Sequence, residues 1–337
     1  MNDPGHYNEL PDLSGFFPVR ISNIDNKHFV KFAKLPPEAF DNPFMEPDPM
    51  VRMGEKPGYD TKGFWLDPLL DHIIDSPHIP VGGFIFHLSR CGSTLVTQMM
   101  KTLDDLLVIS EPPGISNILF QNELVSEQKS IVAKRFKALV LAHAHSLDFR
   151  KKKLFIKFQE FPIFHLDIIH EAFPDTPWIF LYREPLEIMA SWFQDEADTG
   201  PFLMRLHQHK KPNYLAKKLQ IYPSDVEQMP REEVAAKIIA QMIQVAMSNL
   251  GRHGLAIDYA SLPRAFFSRI APHFNLSLTG KQAQSILEVS KYYSKKKDGK
   301  IFMEDSADKR DAASREIKEA AIKWAHPQYE LLKNLGI

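Results

Sequence analysis

Residues 82–113, GGFIFHLSRCGSTLVTQMMKTLDDLLVISEPP, decide how the rest of the chain is read. The apolar run from Phe84 to Leu88 predicts a short buried strand. It stops at Ser89-Arg90-Cys91-Gly92-Ser93-Thr94, after which Leu95, Met99 and Leu103 recur at helical spacing. A strand, a small-residue loop and a helix in that order make a phosphate cradle. Backbone N–H groups of the loop converge on an anion, the helix amino terminus adds its positive dipole end, and the Ser93 and Thr94 hydroxyls add donors. Arg90 supplies a full positive charge. The loop is not a Walker A motif, which needs a lysine immediately before the hydroxyl residue, where Gly92 stands. Cys91 does not open a Cys-x5-Arg phosphatase loop either, because the residue six positions on is Thr97.

Outward from this stretch, four more apolar runs predict strands at 106–110, 154–158, 178–182 and 255–259. Helical periodicity separates them: 130–147, a helix beginning near Pro162, and a long helix over 231–250 with Val234, Ile238, Met242 and Val245 on one side. Another helix starts at Pro185, with Leu186, Met189, Ala190 and Phe193 on its apolar face and Ser191 on the polar one. Alternating strands and helices predict an α/β three-layer sandwich, a central parallel sheet flanked by helices, with ligands at the carboxyl ends of the strands. Arg90, Glu111, Lys157 and Arg183 all fall at or just beyond such ends, so one sheet edge would collect them.

Ser89-Arg90-Cys91-Gly92-Ser93-Thr94-Leu95 resembles the 5′-phosphosulfate loop of the sulfotransferases, enzymes of P-loop NTPase-like fold. They move a sulfuryl group from 3′-phosphoadenosine 5′-phosphosulfate (PAPS) to an acceptor hydroxyl or amine. Arg183 and Ser191, in WIFLYREPLEIMASW, resemble the family's 3′-phosphate element, an arginine ending a strand and a serine eight residues later. Tyr259, in IDYASLP, is similar to the tyrosine of a Tyr-Glu-x-Leu element, although Ala260 replaces the acidic residue. The basic segment 292–310 lies where the family has its loop over the 3′-phosphate. The likeness extends over residues 80–337 and is nearer to the tyrosyl, carbohydrate and bacterial branches than to the small-molecule cytosolic branch.

This resemblance implies PAPS as donor and no metal. It implies nucleotide contacts from Ser89, Arg90, Cys91, Gly92, Ser93, Thr94, Arg183, Ser191 and Tyr259, with Arg90 and Lys157 at the transferring group. Small-molecule cytosolic relatives place a histidine base two residues after the lysine of the third strand. Gln159 stands there, and an amide cannot take a proton. Glu111 is the better candidate base, as the tyrosyl and carbohydrate branches place a glutamate comparably; His87, beside the loop, comes next. Read as residues alone, Lys157 could reach water, Arg183 could pair with Glu184 or Glu187, and Lys295, Lys296 and Lys297 could be a solvated run. Two other functions fit the cradle: a P-loop kinase using ATP, and a non-catalytic adenosine-nucleotide-binding protein.

The 337 residues suffice for one large α/β domain with a smaller appendage. A net charge of −1 argues against general nucleic-acid binding. No apolar run approaches the roughly 20 residues that span a bilayer, the start lacks a signal-peptide pattern, and the single cysteine excludes an internal disulfide. A cytoplasmic location is expected. Residues 1–79 carry thirteen acidic against seven basic residues, and eight prolines between Pro11 and Pro57 predict an irregular layer packed on the main domain, either a stabilising wrap or a cover for the acceptor site. A short helix is expected near 65–74. His143 and His145, two apart, diverge on a helix, and His207 and His209 lack a third ligand, so no metal site is expected. The acceptor itself is not identified.

Overall fold

The computed structural model describes residues 11–35, 60–112, 114–119, 127–145, 150–194, 217, 219–220, 222–292 and 306–335. His207, His209 and Lys295 to Lys297 lie outside the described residues.

The expectation of an irregular amino-terminal layer is corrected by a three-stranded antiparallel sheet, β1 (Phe16–Ile24), β2 (Lys27–Lys34) and β3 (Thr61–Trp65). Proline does not prevent it. Pro18 sits where the β1–β2 register shifts, at an irregularity that spares it a ladder donor. The connection is the two-residue turn Asp25-Asn26, whose left-handed φ values of 49° and 60° suit the tight hairpin turn that Asp and Asn tolerate. Val19, Ile21, Val30 and Phe32 bury the inner face. A short helix, α1 (Leu70–Asp75), leads out of this layer, as the sequence suggests.

Next come β4 (Val81–His87), α2 (Ser93–Lys101), β5 (Leu106–Ser110), α3 (Lys129–Ala142) and β6 (Lys153–Lys157). They are followed by α4 (Leu166–Ala172), β7 (Trp178–Tyr182), α5 (Pro185–Gln194), α6 (Arg231–Asn249) and β8 (Gly254–Asp258). The five strands form one parallel sheet in the order β5-β6-β4-β7-β8. Its strands are buried on both faces, hence their continuous apolar runs. Alternation sorts the residues: Phe84, Phe86, Ile109, Ile156 and Phe180 enter one core, while Ile85, Val108, Phe155, Ile179 and Ile257 enter the other, against α2.

The amino-terminal layer shares a hydrophobic core with this body, and Arg135 of α3 adds a polar tie, donating to both carboxylate oxygens of Asp67 at 2.6 and 2.8 Å and also to Glu127 at 2.7 Å. Further contacts join the Gly15 N–H to the His145 carbonyl and the Phe17 ring to His143. Among the described residues no helix is long and apolar enough to cross a membrane.

Candidate active site

The strand order fixes the site. Along the carboxyl edge it sets Glu111 after β5, Lys157 at the end of β6, the 88–92 loop after β4, Arg183 after β7 and Tyr259 after β8. All the strand-end residues expected from sequence thus lie on one edge.

The loop turns sharply because Arg90 and Gly92 both adopt left-handed backbone, at φ 61° and 80°. Such conformations turn successive N–H groups toward one concavity. At Gly92 a Cβ would lie 2.8 Å from Cδ2 of Tyr259, so any larger residue would force loop and tyrosine apart. Cys91 is fully buried, and burial pushes its thiol up to about 12, so it packs as an apolar group and is no nucleophile. Ser93 and Thr94 open α2 and are both buried.

Lys157 does not reach water. Its side chain is 0% exposed, and its Nζ donates to Glu111 Oε1 at 2.5 Å; Glu111 is 18% exposed. His87 Nε2 lies 4.0 Å from that same oxygen. Glu111 is itself held in left-handed backbone, φ 54°, by its N–H donating to the Lys157 carbonyl at 2.7 Å. Non-glycine residues in this region cost about 1–3 kcal/mol each and cluster where a side chain must be aimed. Here the turn brings the carboxylate back over the end of β6.

Glu160, unremarked in the sequence, joins this group. It follows Lys157 by three residues, at the start of the 3-10 turn Phe161–His165. Although the residue is half-buried as a whole, burial of the carboxyl raises its pKa most, followed by the Glu111 charge, against the opposing pull of Ser89 and Lys157. The available signal was a second acid just past a strand end.

Arg183 is buried. Its Nε donates to Glu187 Oε2 at 2.5 Å, its Nη1 donates to the Arg90 carbonyl at 3.3 Å, and its guanidinium carbon lies 4.3 Å from the centre of the Tyr259 ring. Of the two pairings left open by the sequence, Glu187 is the one made. Its other oxygen lies 3.4 Å from Nη1 of Arg310, in the helix Ser306–Ala312. Thus Arg310, from the basic 292–310 segment, reaches this end of the sheet. Ser191 is half-buried on α5, and Gln159 is half-buried beyond β6. His143 and His145 serve the fold: His143 Nδ1 bonds the Leu139 carbonyl at 2.7 Å and His145 Nε2 the Ile73 carbonyl at 3.2 Å.

No protein-family model matches this sequence, and no curated protein matches it significantly. Solved structures do match. The chain is similar to sulfotransferases. The sulfotransferase domain of the Synechococcus PCC 7002 olefin synthase shares 15% identity at a TM-score of 0.43, covering 74% of this chain and 96% of that one. Sulfotransferase STF9 from Mycobacterium avium shares 12% identity at 0.37, over 65% and 70% of the two chains. Sulfotransferase STF1 from Mycobacterium tuberculosis H37Rv shares 12% at 0.39, over 74% and 78%. The roles of individual residues rest on the geometry above.

Proposed function

We propose that the chain is a sulfotransferase that takes a sulfuryl group from PAPS and passes it to an acceptor hydroxyl by metal-independent, in-line transfer. The observation that carries this reading is the buried Lys157–Glu111 pair on the same sheet edge as the anion loop. A wholly buried ammonium is costly, and two strand spacings, about 10 Å, separate the end of β5 from the loop. That is room for a donor's reacting end and an acceptor between them.

In this reading Arg90, the loop N–H groups, Ser93 and Thr94 hold the 5′-phosphate and stabilise the charge that grows on it as the bond to sulfur breaks. Lys157 stabilises the sulfuryl oxygens. Glu111 accepts the acceptor's proton as its oxygen attacks sulfur, and 3′,5′-adenosine bisphosphate departs. Arg183 and Ser191 take the 3′-phosphate, and Tyr259, stacked on Arg183 and against Gly92, borders the nucleotide. The described strands of the amino-terminal layer, β1 to β3, wall the acceptor side. In support, the Ile21 side chain fills the space that a Cβ on Gly114 would need, three residues beyond Glu111.

The test is thermal unfolding with added nucleotide. 3′,5′-adenosine bisphosphate at a hundred times its Kd should stabilise the fold by about 2.7 kcal/mol without added metal. A shift with ATP and magnesium but none with the bisphosphate would replace this reading by the kinase.

A further inference from the structure

The helix His326–Asn334, near the end of the chain, lies against the carboxyl ends of β7 and β8. Tyr182 and Asp258 end those two strands and are register partners across them. Each stands immediately before a residue assigned above to the nucleotide, Tyr182 before Arg183 and Asp258 before Tyr259. Tyr329 of the helix is buried and touches both members of this pair. Its ring meets that of Tyr182 edge-on, with centroids 5.9 Å apart, and its hydroxyl donates to Asp258 Oδ2 at 3.4 Å. A phenylalanine would fill the same apolar space, and a buried hydroxyl costs free energy unless it finds a partner, so the oxygen of Tyr329 serves the contact with Asp258.

The other carboxylate oxygen, Oδ1, accepts from the Ala260 N–H at 2.9 Å, while the Asp258 carbonyl accepts from the Ser261 hydroxyl at 2.5 Å. An aspartate bonded to the backbone two residues on fixes the turn between them, and the residue between them is Tyr259. Asp258 thus aims Tyr259 with one oxygen and is anchored by Tyr329 through the other. The Tyr259 ring lies 4.3 Å from the Arg183 guanidinium carbon, and a guanidinium stacked on an aromatic face has its donor fork held in one plane. One helical turn before Tyr329, His326 Nδ1 lies 3.8 Å from Oε1 of Glu184, the residue that follows Arg183. The same helix therefore reaches both sides of the arginine.

We infer that Tyr329 is a positioning residue for the 3′-phosphate: its hydroxyl, acting through Asp258 and Tyr259, holds the Arg183 guanidinium in the orientation that receives this phosphate. Affinity for a 3′-phosphorylated adenosine nucleotide then depends on a helix distant in sequence from every residue that the strand ends contribute. This deepens the reading above and rests on it.

Tyr329→Phe keeps the ring against Tyr182 and removes only the oxygen at issue. Binding of 3′,5′-adenosine bisphosphate and of adenosine 5′-phosphate is measured by calorimetry on the full chain, at one pH and one salt concentration. The variant should bind the bisphosphate about three- to tenfold more weakly, the worth of one ordinary hydrogen bond, and the monophosphate as tightly as the wild type does. In an Asp258→Ala background the same substitution should weaken the bisphosphate no further, because the residue through which it acts is gone.

Equal affinity of the wild type and Tyr329→Phe for the bisphosphate removes the role of Tyr329 and leaves the PAPS reading standing. Equal losses for the two nucleotides would make Tyr329 a general support of the fold, and an undiminished further loss in the Asp258→Ala background would break the path through Asp258; either overturns the inference. Should that background fail to fold, the comparison of the two nucleotides decides alone. A wild-type chain that does not bind the bisphosphate removes the PAPS reading, and the role of Tyr329 falls with it.

Discussion

Breaking the Lys157–Glu111 pair should cost stability asymmetrically. Lys157 is 0% exposed and Glu111 18%, so the two deletions leave different orphans. Glu111→Gln leaves a wholly buried ammonium facing an amide in place of a carboxylate. Removing one partner of a buried pair costs about 3–5 kcal/mol, and the amide oxygen that remains places the loss near 3 kcal/mol. Lys157→Met leaves a carboxylate that can turn toward water, at about 1–2 kcal/mol. The double variant orphans nothing and should lie within about 1 kcal/mol of the wild type, giving a coupling energy of about 3 kcal/mol. The assay is urea unfolding of the four proteins at neutral pH, compared at equal m-value. Additive losses, within about 0.5 kcal/mol, would refute the buried pair, and so would a larger loss from Lys157→Met than from Glu111→Gln.

Other outcomes are expected of the same edge and its support. In single-turnover assays with labelled PAPS and a cell extract as acceptor source, Glu111→Gln should lower the rate by about 10²- to 10⁴-fold with donor binding retained, while Gln159→Ala does far less. Undiminished turnover would remove Glu111 as base in favour of His87. Arg183→Ala should weaken PAPS by about 1.5–3 kcal/mol and adenosine 5′-phosphosulfate, which lacks the 3′-phosphate, much less; equal losses would contradict the 3′-phosphate assignment. Burial holds His143 down at about 4 from an ordinary 6.5, so as pH falls through that window the unfolded chain binds a proton that the fold refuses. Its contribution, up to about 3 kcal/mol, should therefore be lost between pH 6.5 and 4, and His143→Asn should flatten that slope in urea unfolding across the range.

The sheet was legible because its strands are buried on both faces and read as unbroken apolar runs. Leu106–Ser110 and Trp178–Tyr182 have the bounds that the sequence predicts. Where a strand begins before its expected start, residues without apolar character extend it: β4 starts at Val81 through Gly82 and Gly83, and β6 starts at Lys153, whose ammonium reaches the Phe274 and Asn275 carbonyls. The amino-terminal hairpin was obscured by prolines, although Asp25-Asn26 between alternating apolar residues was a turn signal in plain view. The strand-end cations and Glu111 could be foreseen from topology. Of their partners, Glu187 for Arg183 was within reach of the sequence, four residues on, whereas the approach of Arg310 to Glu187 was not, because those distant segments meet only where they reach one edge.

That edge is built of two like units. In one, a buried cation is paired, Lys157 with Glu111, and a nearby carboxyl, Glu160, has its pKa raised by burial and by the paired acid. In the other, Arg183 pairs with Glu187, and Glu184 has its pKa raised by burial first and also by Glu187, against backbone hydrogen bonds from Leu186 and Glu187 and the charge of His326. In each unit the buried cation is already paired, so an incoming anion must either share it with its carboxylate or part the two, and parting a buried pair costs several kcal/mol.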